Sequence, residues 1–391
     1  MREFWVAAGL LWLAGVGLRL SILAVPPVIL LIQADLRLSG TEVGVLSGLP
    51  LILFAIAALP GSLLIARFGA LATLASGLLI AGVASGLRGA VLDVLVFYAA
   101  TVVMSVGIAI MQPALPPLVR RWLPRHVSFG TAVFTNGLLV GETLPVMLTI
   151  PLVLPLVEGS WRWALAIWGL PLVLIAILTV ALASARKEVA DVPATVLSWW
   201  PDWRNKLIWQ VGILLGSVNS VYFCSNAFLP GHLTAAGRPD LISAALTALN
   251  FGQLPASFAL LVVADRLVRR AWPFIVCGGL MLLCLAGVVM TASPWTVAYA
   301  GALGFLGAGV FTLALALPPL LSAPADLARV SAAIFAICYS EALLVSVLSG
   351  AAWDLGASPR FAFLPMAISA LPLLFLPPFI RFRQPQEAPT P

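Results

Sequence analysis

Charge is scarce in this sequence. Lys and Arg number 21 and Asp and Glu 15 among 391 residues, 9% in all. A water-soluble globular domain carries about 25% charged residues, so a chain of this length with so few cannot cover a water-facing surface. Histidine is rarer still. His126 and His232 both lie near loops and form no His-Glu-x-x-His pair, which argues against a zinc hydrolase of that kind. The four cysteines, Cys224, Cys277, Cys284 and Cys338, all fall inside apolar runs, with neither metal-ligand spacing nor a disulfide-dense pattern; they read as small apolar residues. No Gly-x-x-x-x-Gly-Lys-Ser/Thr loop occurs, which argues against ATP-driven pumping. No Ser/His/Asp set has a reason to assemble. No enzyme, metal site or cofactor is expected.

What the chain has instead is long apolar runs. Its hydrophobic fraction is 62% and its mean hydropathy +1.09. A spanning helix needs about 20 mostly apolar residues. Twelve candidate spans emerge, at roughly 4–32, 43–66, 69–88, 93–118, 127–155, 161–184, 207–229, 242–264, 272–291, 294–321, 328–352 and 360–381. The expected class is an all-α membrane protein. The N-terminus carries one arginine and then a long apolar run without a small-residue cleavage site, so it reads as the first span and not as a removed signal peptide.

The net charge of +6 could suggest nucleic acid, but the placement of the cations points to membrane orientation. With the N-terminus inside, fifteen Lys and Arg fall on the inner side and five on the outer: Arg37, Arg88, Arg162, Arg238 and Arg360. That bias predicts both termini in the cytoplasm, and the cell inner membrane as the location. Trp161, Trp163, Trp199, Trp200, Trp203, Trp295 and Trp353 cluster near span ends, as interface anchors do.

The longest polar stretch, ASARKEVADVPATVLSWWPDWRNK, separates the sixth and seventh spans. It predicts an N-terminal six-helix bundle over 1–184, a cytoplasmic linker over 185–206 and a C-terminal six-helix bundle over 207–391. The halves echo each other. ALPPL ends the fourth span at 114–118 and the tenth at 316–320. LLIARFGA ends the second span and LVVADRLV the eighth, which sets Arg67 against Arg266 at an offset of 199. The same offset relates Glu142 in the fifth span to Glu341 in the eleventh. Three matches on corresponding spans argue for a duplicated six-helix unit.

With these features the chain resembles the major facilitator superfamily of transporters over essentially its whole length. The superfamily signature between the second and third helices is similar to Gly-x-Leu-x-Asp-Arg-x-Gly-Arg-Lys/Arg. Here the first copy keeps Arg67 and Gly69 but has Ala66 at the acidic position, and the second keeps Asp265, Arg266, Arg269 and Arg270 but has Val268 at the glycine position. The resemblance implies two six-helix pseudo-repeats, alternating access between them, and a gating role for Arg67, Asp265 and Arg266. A narrower resemblance is to the cyanate/nitroimidazole permease (CynX/NimT-type) family. It is carried by Leu18-Arg19 in the first span, GLPLILFAI in the second, GLRG around Arg88 and the Trp161-Arg162 opening of the sixth. Gly17 and Leu20 depart from the Asn and Pro that flank the Leu-Arg pair in that family.

Polar groups inside the spans are the candidate site. Arg19 lies 15 residues after Phe4, about 22 Å along a helix, too deep to snorkel easily to either surface. Its planar fork of donors suits a carboxylate or a small oxyanion. It either holds an anionic or polarised substrate or pairs with an internal carboxylate. The two deep carboxylates are Glu142 and Glu341. Carboxyl groups withdrawn from water exchange protons nearer neutral pH, which suits proton coupling; an interhelical hydrogen bond or salt bridge is the other reading. Asn219, Tyr222 and Asn226 share one face of the seventh span, and Asn250, Gln253 and Ser257 one face of the eighth. Gln112, Asn136 and Tyr339 complete the polar set. Any single amide reads as a helix–helix hydrogen bond, while the set reads as a cavity. Gly137 and Gly141 have the small-xxx-small spacing of close helix packing, and Pro145 can kink the same helix.

The expected function is secondary transport of a small anion or small polar planar solute, by a monomer in the lipid bilayer, with proton symport or anion exchange as the means. The expected substrate contacts are Arg19, Gln112, Asn219, Tyr222, Asn250, Gln253 and Tyr339. Glu142 and Glu341 are the expected coupling or gating groups. A proton-coupled exporter of drugs is the alternative, with Arg19 structural, and a binding-only membrane receptor is a third.

Overall fold

The computed structural model describes residues 2–91, 93–123, 126–183, 201–267, 270–291, 293–321 and 327–380. Within them the long apolar runs are helical, as backbone groups in lipid require, except at the turns of the first. Nine helices among the described residues are long and apolar enough to cross a membrane. The first, second and eighth expected spans fall short of that measure there. The first is broken, the second is counted over Gly40–Ile56 as a shorter apolar helix, and the eighth is interrupted at Gly252, between Ile242–Phe251 and Gln253–Leu267. Of the expected linker 185–206, residues 185–200 lie outside the described residues.

Three of the long helices begin where the sequence offers caps. Ser39 and Glu42 form a capping box at the start of Gly40–Phe68, Asp93 accepts from Leu95 and Val96 ahead of Val94–Met111, and Asn205 accepts from Leu207 ahead of Lys206–Ala235. Each satisfies amides that a helix start leaves without partners. Gly69, at φ +83°, ends the second span in a conformation that a side chain would oppose. In the fifth span Pro145 lies inside Val127–Leu148, and a π turn over Thr149–Val153 follows.

One expectation fails instructively. The sequence predicts one helix over 4–32, but the helix Arg2–Gly17 ends at Gly17, 18–25 form turns, and Pro26–Val28 lead into Ile29–Leu36. Pro26 and Pro27 supply no backbone donor, and a residue before proline is pushed out of the α region. Three turn amides therefore bond closer than in an α-helix: Arg19 N–H reaches Val16 O at 3.2 Å, Ile22 N–H reaches Arg19 O at 3.1 Å, and Val25 N–H reaches Ile22 O at 3.3 Å, while Leu20 and Leu23 keep α-helical spacing. Ser21 O thereby loses its helical donor.

The seventh span is the most enclosed, with 78% of its apolar window buried, against 39% for the sixth, ninth and twelfth. The tenth span is as little buried, at 39%, and the third, fourth and eleventh lie at 50%. The first and fifth spans pack backbone to backbone: a Cβ on Gly137 would collide with the Trp12 carbonyl, and one on Gly141 with the Val16 carbonyl. The second span packs against the eleventh from the other half in the same manner, through Gly44 and Gly350. There Asp354, late in Leu327–Gly356, caps the start of the second span. Its carboxylate accepts from Gly40 N–H at 2.7 Å, Thr41 N–H at 2.8 Å and the Thr41 hydroxyl at 2.6 Å. The Ser346 hydroxyl donates to Gly44 O at 2.7 Å. The second and eleventh spans are thus tied together at this end.

Candidate functional site

The break in the first span places Arg19 in the middle of the molecule. Its side chain is buried, and Nε stands 3.2 Å from Oε1 of buried Glu142 in the fifth span. The close packing of the first span on Gly141 brings the two together. Glu142 Oε2 accepts from Gln253 Nε2 at 3.1 Å. The carboxylate is therefore held by an ion pair from one half and a hydrogen bond from the other. Aromatic faces surround the guanidinium: Cζ lies 5.1 Å from the Phe54 ring centroid and 5.9 Å from that of Phe223, a geometry that favours a cation. Tyr339 stacks on Phe335 at 5.8 Å and meets Phe54 edge-on at 5.4 Å, with Gln112 and Arg19 both within reach of its hydroxyl. The glycine break at 252 sets Gln253 at the head of a new helical segment, where it points at Glu142.

A second cluster adjoins the first. The Tyr222 hydroxyl donates to Asn250 Oδ1 at 2.6 Å, and Asn250 Nδ2 donates to Asn226 Oδ1 at 2.8 Å. Asn226 Nδ2 donates back to Tyr222 O at 3.0 Å. The two polar faces read from the seventh and eighth spans thus meet each other.

The other expected site residues are placed as follows. Asn219 donates to Cys338 Sγ at 2.8 Å, so its amide is engaged with the eleventh span. Glu341 is half-buried and lies against Gly216, and the Ser217 hydroxyl donates to its Oε1 at 3.4 Å. The Arg19 partner is Glu142 and not Glu341. Asn136 accepts from Trp12 Nε1 at 2.9 Å, a helix–helix contact. Arg67 is exposed at the end of the second span, over the Phe68 ring. The side chains of Asp265 and Arg266 lie outside the described residues. Trp163 and Trp295 are exposed as interface anchors are. Trp161 is not: it is buried, and its Nε1 donates to Asp35 at 3.1 Å.

Arg88 corrects the reading of the loop cations. Counted among the outer arginines, it is 0% exposed and lies inside the helix Ala70–Ala90. Its Nη2 donates to Ser21 O and to the Ser85 hydroxyl, each at 2.9 Å. Ser21 O is the acceptor that the turn at 18–25 releases, so Arg88 takes the place of the missing helical amide. The sequence signal was present in SGLRGA, small residues on both sides of the cation, which let neighbouring helices close over it.

A polar centre buried between two sets of apolar helices is the arrangement of a membrane transporter. The family model of the Major Facilitator Superfamily matches residues 11–237, more than half of the chain, and the chain belongs to that superfamily. It is 28% identical over 294 residues to the uncharacterized transporter YycB of Bacillus subtilis (strain 168), covering 75% of this chain and 72% of that one. It is 26% identical over 243 residues to a 2-nitroimidazole transporter of Escherichia coli (strain K12), covering 62% of this chain and 61% of that one. Among solved structures it matches that of a D-xylose-proton symporter with a TM-score of 0.73 and 14% identity, over 97% of this chain and 99% of that one. The structural likeness establishes the fold. The chain is a multi-pass membrane transporter and not an enzyme.

Proposed function

We propose that this transporter moves a small anion or a small planar polar solute across the cell inner membrane, as a monomer, by rocking of its two halves about Arg19. The observation that carries the reading is the unequal use of the Arg19 fork. Nε is ion-paired with Glu142 at 3.2 Å, but neither Nε nor Nη1 makes a hydrogen bond among the described residues. A guanidinium is always charged and presents five donors. The donors left over, between two aromatic faces and the hydroxyl of Tyr339, fit an oxyanion or a nitro group. Tyr222, Gln253, Tyr339 and Gln112 are the nearest contacts in this reading, and Asn250 orients Tyr222. Asn219 contributes once its bond to Cys338 opens. The identity with a 2-nitroimidazole transporter supports a planar polar solute.

Glu142 is the coupling group in this reading. It shares Arg19 with the substrate, so a proton on Glu142 frees the guanidinium. Anion binding then strengthens as pH falls. Uptake of an anion against a negative-inside potential costs about 2.3 kcal/mol per charge per 100 mV, and the cotransported proton offsets it. Glu341 and the Arg67, Asp265 and Arg266 loops serve gating. With Arg88 removed from the outer set, fifteen loop cations against four favour both termini in the cytoplasm. The end tied together by Asp354 then faces outward. The six-helix bundles of 1–184 and 207–391 are the rocking units.

The test is a thermal-shift screen of the purified protein against cyanate, nitrite, formate and nitroimidazoles, beside Arg19→Gln. A ligand that binds only the folded state raises Tm. A shift in the native protein that Arg19→Gln loses is the expected outcome. A shift that survives in Arg19→Gln, or transport at the native rate by that variant, overturns the reading. A drug-exporter reading rests on a different group: Glu341 has no cation partner among the described residues. Lipophilic cations would then shift Tm and Glu341→Gln would abolish that shift.

A further inference from the structure

We propose that Arg88 is the heart of a second anion site, separate from the Arg19 centre, that holds a small monovalent inorganic anion of about the size of chloride. Arg88 is fully buried and cannot shed its charge. It forms no ion pair among the described residues. Two hydrogen bonds from Nη2 hold it in place, to Ser21 O and the Ser85 hydroxyl. Nε and Nη1 have no partner among the described residues. Arg19 differs on this point, since Glu142 balances it. A buried charge without a counter-charge is among the least stable arrangements in a protein, and the unused donors state what is needed: an acceptor that carries a negative charge.

The surroundings fit a small one. Arg88 lines a cavity of about 30 Å3 together with Ser47, Thr101, Asn226, Met104 and Phe223, closed by the turn residues from Ile22 to Pro26. That is room for only a few water-sized bodies, and a single guanidinium without an ion pair among the described residues balances one negative charge, not the two of sulfate. Donors besides the guanidinium are few. The Thr101 hydroxyl is spent on Phe97 O at 2.9 Å. Asn226 uses one amide hydrogen on Tyr222 O and has a second, and Ser47 brings a hydroxyl. Two guanidinium N–H groups, an amide and a hydroxyl against apolar walls suit a single monovalent charge. Phe223 and Asn226 also belong to the central site, from the other side of the broken segment. A bound anion would therefore brace the turn at 18–25 on which Arg19 sits. The assignment does not depend on what the Arg19 centre carries.

The experiment measures Tm of the full-length protein in detergent in sodium gluconate, titrated with sodium chloride or sodium bromide at constant ionic strength, beside a sodium sulfate titration. The native protein should show a saturable rise in Tm with either halide and none with sulfate. Arg19→Gln should keep that rise, and Arg88→Met should lose it. No saturable halide effect, an equal effect of sulfate, or a halide effect that Arg88→Met keeps or Arg19→Gln loses overturns the assignment. Should Arg88→Met fail to fold, crystals of the native protein grown in bromide decide it. A bromide anomalous peak within hydrogen-bond distance of Arg88 Nε and Nη1 supports the site, and no peak there at saturating bromide refutes it.

Discussion

Glu142 and Glu341 occupy matching positions in the two halves, 199 residues apart, and live in different chemistry. Each faces the first helix of its own half. Glu142 meets Arg19 there, and Glu341 meets Gly216 and Ser217. The position that corresponds to Arg19 in the second half is Val218, which is buried and apolar. Duplication of the fold sets where a carboxylate can approach the neighbouring helix. A single side chain across from it decides whether that carboxylate is locked in an ion pair or left with one weak hydroxyl bond. Only the first half breaks its leading helix in the middle; the equivalent seventh span runs unbroken from Lys206 to Ala235. The substrate and proton chemistry proposed above is concentrated on the broken side.

Arg19→Gln is the harshest way to break the comparison, because it makes the halves alike. It leaves Glu142 without its cation, which costs about 3–5 kcal/mol for a buried pair. Tm should fall steeply, and the double variant Arg19→Gln/Glu142→Gln should recover most of the loss. Equal Tm values for the single and double variants would show that the pair does not act as a unit. Next in size is Glu142→Gln. It removes the competitor for Arg19, so anion binding should become nearly independent of pH and match at neutral pH the strength the native protein reaches in acid; titration calorimetry at several pH values reads this directly. Glu341→Gln should change binding less than tenfold at any pH, since it has no cation to release.

A smaller effect is expected where the halves touch. Asp354→Asn weakens the cap on the second span, a loss of about 0.5–2 kcal/mol by analogy with helix N-caps. Cysteine cross-linking across this contact should slow in this variant, while the Tm of the ligand-bound state barely moves. The smallest effect belongs to the exposed pair Arg238 and Asp240, joined at 2.8 Å. The hydrogen bond from Arg238 holds the Asp240 carboxyl below its usual range, so its contribution is present above the unfolded value and lost as pH falls through the folded one. Solvent screens so exposed a pair, and Arg238→Gln should leave transport and Tm unchanged at pH 7.

The sequence by itself determined that the chain is a helical membrane protein, that it is built twice over, and that Arg19, Glu142 and the polar faces of the seventh and eighth spans turn inward. Those conclusions rest on free energies that hydropathy and helical period express locally: apolar runs must sit in lipid with their backbone bonded internally, and charges within them must turn away from it. What only the tertiary structure decided is pairing. Whether Arg19 meets Glu142 or Glu341 depends on which helices cross at which height, fixed by glycine contacts between spans more than a hundred residues apart. The break at 18–25 needed the same knowledge. A proline pair permits an unwound turn, but the turn persists because Arg88, from another helix, supplies the donor that Ser21 O lost. For the same reason Arg88 passed as a loop cation in one dimension. Its depth is set by the helices that close over it, and no window of sequence around it records them.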